Sequence, residues 1–346
     1  MSKIITFGEA LLRLATPGHL RFSQASNLEI TFCGAEVNVA ATLAAFGVDV
    51  DFVTRVPNND ISDSCLKWIK AADVGVNHVL RGGGRMGIFY LEKGATVRPS
   101  KVIYDREGSS FASIGPGMIN WRGIFDGAKW FHWSGITPAV SSSAADACQE
   151  AVEIAVEMGL TVSCDLNYRQ SLWGGERCVN QVMRPLVEKC DVIVGNEEDC
   201  QKVFGVQGSS AKAGGWSLEV KGDEFMPILK EMSIQFPKAE SIALSCRDSI
   251  NADHNKWSGT LYKGGMVYSS RTYDITDIVD RVGAGDAFMG GLIYGFLTYP
   301  ENSQMTIDFA VAASCLKHTI HGDFNRVSLS EVDRLMDGND RGRVIR

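Results

Sequence analysis

Residues 143–165, SAADACQEAVEIAVEMGLTVSCD, decide the fold. From Ser143 to Met158 apolar residues recur at helical spacing, Gly159 ends the helix, and Thr161–Asp165 follows as a short apolar strand. The unit repeats downstream as helix Val179–Lys189 and strand Val192–Val194. Upstream, strand Ile4–Phe7 stops at Gly8-Glu9. An Ala-rich helix, Val37–Phe46, is closed by Gly47, and strand Val50–Val56, helix Ser62–Ala72 and strand Trp130–Trp133 come next. Strand followed by helix, many times over, requires parallel strands joined by crossovers.

Two stretches break that rhythm. Residues from about Arg13 to Phe32, and Arg85–Phe111 with its alternating GIFYLEKGATVRPSKVIYDR, read as antiparallel strands outside the main sheet. The C-terminal part resumes with strand Ile242–Ser245, a hairpin at Lys263-Gly264-Gly265, and helices Ala287–Leu297, Thr306–Thr319 and Ser330–Met336. The expectation is an α/β fold: one domain spanning 1–346, with a doubly wound, mostly parallel sheet flanked by helices. A small β-sheet lid is drawn from about 13–33 and 85–111.

Composition narrows the function. With 346 residues, 45% of them hydrophobic, the chain can bury a large core. A net charge of −7 disfavours a nucleic-acid partner, because phosphate backbones recruit clustered Lys and Arg. No run approaches the roughly 20 apolar residues that cross a bilayer, so no membrane partner is expected. The nine cysteines include no CxxC pair and no zinc spacing. A cytoplasmic protein with reduced, mostly buried thiols follows as the expectation.

Chemistry concentrates in Asp280-Arg281-Val282-Gly283-Ala284-Gly285-Asp286-Ala287-Phe288, a small-residue turn that opens directly into the apolar helix FMGGLIYGFL. Backbone N–H groups at such a helix start, together with its dipole, favour an anion. An acid placed there needs a task, and accepting a hydroxyl proton is one. Asp286 is thus a candidate base. A plain N-cap would read the same way, since Asp is a favoured cap. A dinucleotide fingerprint fits less well, because the turn lies late in the chain and lacks the GxGxxG spacing.

DRVGAGDAF resembles the second signature of the ribokinase-like (PfkB) carbohydrate kinases, and Gly34-Ala35-Glu36-Val37-Asn38-Val39-Ala40 resembles the first. The resemblance implies an anion hole at Gly283, Ala284 and Gly285, Asp286 as base, and a sugar site lined by the first signature with Gly34 and Asn38. Val194-Gly195-Asn196-Glu197-Glu198-Asp199 is similar to the family's NxxE motif with Asp199 in place of the final Glu. That implies Asn196 and Asp199 near magnesium and the phosphates. FGEALLRL, RMGIFYLEKGA, VIYDREGSSFA, FHWSGITPA and DLNYRQSLW look most like the 2-keto-3-deoxygluconate kinase branch. In that branch the matching positions Gly34, Tyr90, Tyr104, Arg106, Arg169 and Asp323 contact the sugar acid, and Asn167 lies near the ATP phosphates.

Two loop arginines, Arg106 and Arg169, are also what a carboxylate substrate needs, since a guanidinium binds it bidentately. Without the motifs, surface pairs of Arg106 with Asp105 or Glu107, and of Arg169 with Asp165, would be the better explanation; the motifs reverse that. The family's Gly-rich nucleotide loop is replaced by Ser245-Cys246-Arg247-Asp248-Ser249-Ile250-Asn251. Ser245 and Arg247 are the nucleotide-side candidates there. The expected cofactors are ATP and Mg²⁺, the metal carried on the phosphates without a protein-only site. The expected reaction is phosphorylation of the terminal (C6) hydroxyl of a sugar acid, by a homodimer built through the lid or a higher oligomer. The rivals are a fructokinase or other neutral-sugar kinase and a catalytically silent sugar-acid sensor on the same scaffold.

Overall fold

Ile4, Ile5 and Phe7 are all fully buried, so the first strand has to be covered on both faces. The computed structural model of the protein describes residues 3–174, 178–207 and 225–338. In it, β1 (Lys3–Phe7) lies between β4 (Val50–Val53) and β9 (Ala128–Ser134), parallel to both. The sheet continues in parallel through β10 (Thr161–Asp165), β11 (Val192–Gly195) and β12 (Ser241–Asn251). It ends in antiparallel β13 (His254–Lys263) and β14 (Met266–Ser269), with β15 (Tyr273–Ile275) also on β13.

Alternation along each strand sorts side chains to the two faces. Ile5, Phe131 and Ile193 join the core under helices Ser142–Glu157 and Val179–Val187. Their neighbours Ile4, Trp130, Val192 and Val194 join the core under helices Ala35–Ala45 and Ala284–Thr298. The expected doubly wound α/β architecture is therefore present.

A second sheet holds β2 (Leu11–Ala15), β3 (Glu29–Cys33), β7 (Gly87–Glu92) and β8 (Lys101–Asp105) in the order β3-β2-β7-β8. The strands come from the expected segments, but not all pair as expected. β2 and β7 run parallel, because each leaves the main sheet in the same direction and the chain returns through it between them. Only the outer pairs, β2 with β3 and β7 with β8, are antiparallel.

Three further differences bear on the site. Val50–Val56 splits into β4 and β5 (Arg55–Val56), the latter pairing with β6 (Leu80–Arg81). Glu197–Phe204, absent from the periodicity reading, is a helix. The stretch read as a nucleotide loop, Ser245–Asn251, is strand: it continues β12 and pairs with β13 out to Asn251 and His254. Strand replaces loop because residues after Ser245 find antiparallel partners in HNKWSG, and no glycine interrupts them.

Candidate active site

The C-terminal ends of β10 and β11, the start of helix Ala284–Thr298 and the inner lid face enclose a cleft of about 610 Å³. That is where ligands bind in open α/β sheets. Asp286 is the third residue of the helix, after Gly283 at its N-cap with φ 85°. A Cβ at 283 would also sit 2.3 Å from the Asp323 carbonyl, so both conformation and space demand glycine. The first-turn amides have no intrahelical acceptors, and Gly283, Ala284 and Gly285 line the cleft.

Asn38, on the facing helix Ala35–Ala45, donates its Nδ2–H to Asp286 Oδ2 at 2.6 Å. Its own Oδ1, although buried, has no partner among the described residues, and Asn38 lines the cleft. Gly34 caps that helix at φ 156°, where a Cβ would meet the Glu9 carbonyl at 2.2 Å. Burial pushes the Asp286 carboxyl up to about 7; the Asn38 bond opposes that, Asp323 and Glu36 add to it, and Arg169 opposes it.

The lid places Tyr104 and Arg106 in the cleft. Tyr90 is elsewhere. Phe89 and Leu91 point inward from β7, and Tyr90, between them, points to the outer face. The inner aromatic is Phe89, stacked on Tyr104 at 5.6 Å. Arg106 pairs neither with Asp105, which Arg85 holds at 2.7 Å, nor with Glu107. Instead its Nε donates to Glu9 Oε2 at 2.8 Å, with Nη2 on the same oxygen. The Ser109 hydroxyl donates to the other oxygen of Glu9. Nη1 is left without a hydrogen-bond partner among the described residues.

Arg169, exposed in the cleft wall, donates only to the Tyr168 carbonyl, at 2.8 Å, and forms no ion pair among the described residues. Asp165, which sequence reasoning named only as a surface partner for Arg169, lines the cleft. Burial pushes its carboxyl well above the usual range, with Asp199 and Asp286 adding to it. Asn167, also at the cleft, holds φ 38°, a left-handed backbone that Asn tolerates. Asn196 and Asp199 form a reciprocal capping box: Asp199 N–H donates to Asn196 Oδ1 and Asn196 N–H to Asp199 Oδ2, each at 2.9 Å. Asp199 Oδ1 accepts from the Tyr168 amide at 3.0 Å. The shorter acid thus ties helix Glu197–Phe204 to the Asn167–Arg169 turn.

Ser245 and Arg247 line the other end, from strand β12 rather than a loop. Desolvation, with Arg281 and Arg169 nearby, pulls the Arg247 pKa down. Arg281, unassigned from sequence, also lines the cleft and donates to the Asn251 carbonyl at 2.9 Å and to that of Ala252. Asp323 lies at the cleft with its carboxylate bonded to Arg13. The missed residues Glu9 and Arg13 did carry a signal: each is a charge inside the apolar run FGEALLRL, where a solvated surface residue would not sit.

The pfkB family carbohydrate kinase profile matches residues 1–221 and 258–327. This chain belongs to that family. It is 42% identical to the 2-dehydro-3-deoxygluconokinase of Thermotoga maritima, whose crystal structure superposes with a TM-score of 0.92 over 98% of this chain and 100% of that one. It is 30% identical over 343 residues to the 2-dehydro-3-deoxygalactonokinase of Haloferax volcanii, covering 99% of this chain and 98% of that protein. The fold also matches a fructokinase with bound ATP from Xylella fastidiosa, at 20% identity and a TM-score of 0.76 over 98% of this chain and 99% of that one. As a pfkB member, the chain has the ribokinase-like fold expected from its signatures. Among the described residues no helix is long and apolar enough to cross a membrane.

Proposed function

We propose that this protein transfers the γ-phosphoryl group of ATP to the terminal (C6) hydroxyl of 2-keto-3-deoxygluconate, also called 2-dehydro-3-deoxygluconate. The observation that carries the reading is Asp286, a carboxylate held near neutral pKa at an anion-binding helix start, in one cleft with Arg106 and Arg169. The names of the Thermotoga and Haloferax relatives support the substrate class.

Asp286 accepts the proton of the attacking hydroxyl, oriented for it by Asn38. The amides at Gly283, Ala284 and Gly285 stabilise charge on the transferred group. Arg169 and the free Nη1 of Arg106 hold the sugar-acid carboxylate, while Glu9 fixes the rest of the Arg106 fork. Gly34, Tyr104 and Asp323 complete the sugar pocket. Asn167, Ser245 and Arg247 serve the nucleotide end. Mg²⁺, carried on the phosphates, would neutralise their charge. Asp165 and Asp199 fit that cation as acids at the cleft rather than as a closed cage, since both Asp199 oxygens already accept amide hydrogens.

A neutral-sugar kinase has no use for a pair of arginines, Arg106 and Arg169, on the sugar, and a silent sensor has none for a carboxylate poised near pH 7. A coupled ADP-release assay over a panel of sugar acids, their C4 epimers and neutral sugars tests the reading. Preference for fructose would remove the substrate and keep the kinase. No turnover with any sugar would favour the sensor.

A further inference from the structure

Arg13 is carried on lid strand β2, on the inward face of an otherwise apolar strand, and is 1% exposed. One terminal nitrogen donates to Asp280 Oδ2 at 2.6 Å and the other to the Asp323 carboxylate. Asp280 in turn accepts from the Val282 amide at 3.1 Å and the Gly322 amide at 3.3 Å. Lys317, also buried, donates to the carbonyls of Asp280 and Ile320 at 3.3 Å each. The Asp323 carbonyl meanwhile packs against Gly283. One guanidinium therefore joins three pieces: the lid, the turn that starts the anion-binding helix, and the Gly322–Asp323 loop.

The charges close. Asp280 and Asp323 set two negative charges against Arg13 and Lys317. Burial would raise the Asp280 carboxyl, but Arg13 and Lys317 outweigh it and hold the group below its ordinary range. Asp323 is one of the charges that raise Asp286. We infer that Arg13 is a positioning residue for catalysis: from the lid it fixes the anion-binding turn and the Asp323 loop in one register, and it neutralises the acidic charge facing Asp286.

Asp286 is also faced by Glu36 from helix Ala35–Ala45, Asp165 at the end of β10, Arg169, Lys317 and Cys33, of which Lys317 and Cys33 also feel the Arg13 charge. Removing the Arg13 charge leaves Asp280 and Asp323 together one positive charge short, which disfavours ionised Asp286, so the acid limb of activity moves up in pH. The planar fork matters separately, since Lys presents a single point charge to two carboxylates.

The inference rests on the kinase reading, and its test uses whichever carbohydrate the wild type phosphorylates best. Arg13→Gln and Arg13→Lys are compared with wild type for kcat, KM and the pH profile of kcat/KM, with folding checked by circular dichroism. For Arg13→Lys the expected result is a fall in kcat of at least about tenfold with the acid limb in place. For Arg13→Gln it is a larger fall, with the limb displaced upward. Wild-type kcat in a folded Arg13→Lys overturns the inference, as does a folded Arg13→Gln whose limb stays put or moves down. If Arg13→Gln does not fold, Arg13→Lys decides alone. A wild type inert towards every carbohydrate would remove the kinase reading and this inference together. Activity with a neutral sugar alone would change the substrate and leave Arg13 open to the same test.

Discussion

Replacing Asn38 by Ala should move the acid limb of activity upward, because Asn38 is the hydrogen-bond donor that favours ionised Asp286. In wild type the Asp286 carboxyl sits at about 7. The base is then about 91% ionised at pH 8 and about 9% at pH 6, so kcat/KM should fall roughly tenfold between them as protonation removes the acceptor. The 2.6 Å bond from Asn38 goes to a charged group, and such bonds contribute about 1.5–3 kcal/mol. At 1.36 kcal/mol per pKa unit, its loss should raise the limb by roughly 1–2 units. Asn38→Ala should therefore be slow at pH 7 and recover towards pH 9. The measurement is kcat/KM from coupled ADP release, pH 5–9, with coupling enzymes in excess at every pH. A wild-type limb near pH 4, or an Asn38→Ala limb that is unchanged or lower, would refute the assignment of Asp286 as a base held up by burial.

Asp286→Asn should keep sugar and ATP binding and lower turnover by about 10²–10⁴, measured at saturating substrates. The same variant should melt higher than wild type at pH 8 but not at pH 4. A buried acid whose folded pKa is raised costs stability increasingly as pH climbs from its unfolded value to about 7, and Asn removes that cost. Arg169→Lys should raise KM for the sugar acid, lowering efficiency roughly ten- to a hundredfold, with KM for ATP nearly unchanged. The outer lid face carries Ile30 and Ile103, 62% and 46% exposed, in one cross-strand row with Leu14 and Tyr90. If that row is covered by a second lid, Ile103→Lys should turn a dimer seen by light scattering into a monomer.

The sequence made legible whatever repeats or clusters locally. The strand and helix succession, the GAGD turn and the GAEVN helix start are each contiguous, and their periodicity or spacing survives folding unchanged. What escaped depended on direction or on distant partners. Tyr90 and Phe89 are adjacent, and only the pleat decides which enters the cleft; in FYLE either register alternates equally well. Ser245–Asn251 resembles a loop until HNKWSG is known to lie beside it. Arg106 has Asp105 and Glu107 beside it in sequence, whereas the acid that holds it, Glu9, is 97 positions away.

The same distance effect explains why Asn196 and Asp199 were placed more readily than understood. Read locally, Asp199 is a shortened metal-side acid. In the fold it closes a capping box with Asn196 and also anchors the Tyr168 amide, so one methylene fewer lets a single carboxylate reach two backbone donors. The turn it anchors holds Asn167, in its left-handed conformation, and Arg169. Asp199→Glu, which restores the commoner residue, should therefore not improve activity. The longer side chain cannot keep both amide bonds in the same space, and Arg169 would lose its register. The expected result is a raised KM for the sugar acid, with any change in KM for ATP smaller. An effect on ATP alone would mean that Asp199 acts chiefly through the cation on the phosphates and that the capping box is incidental.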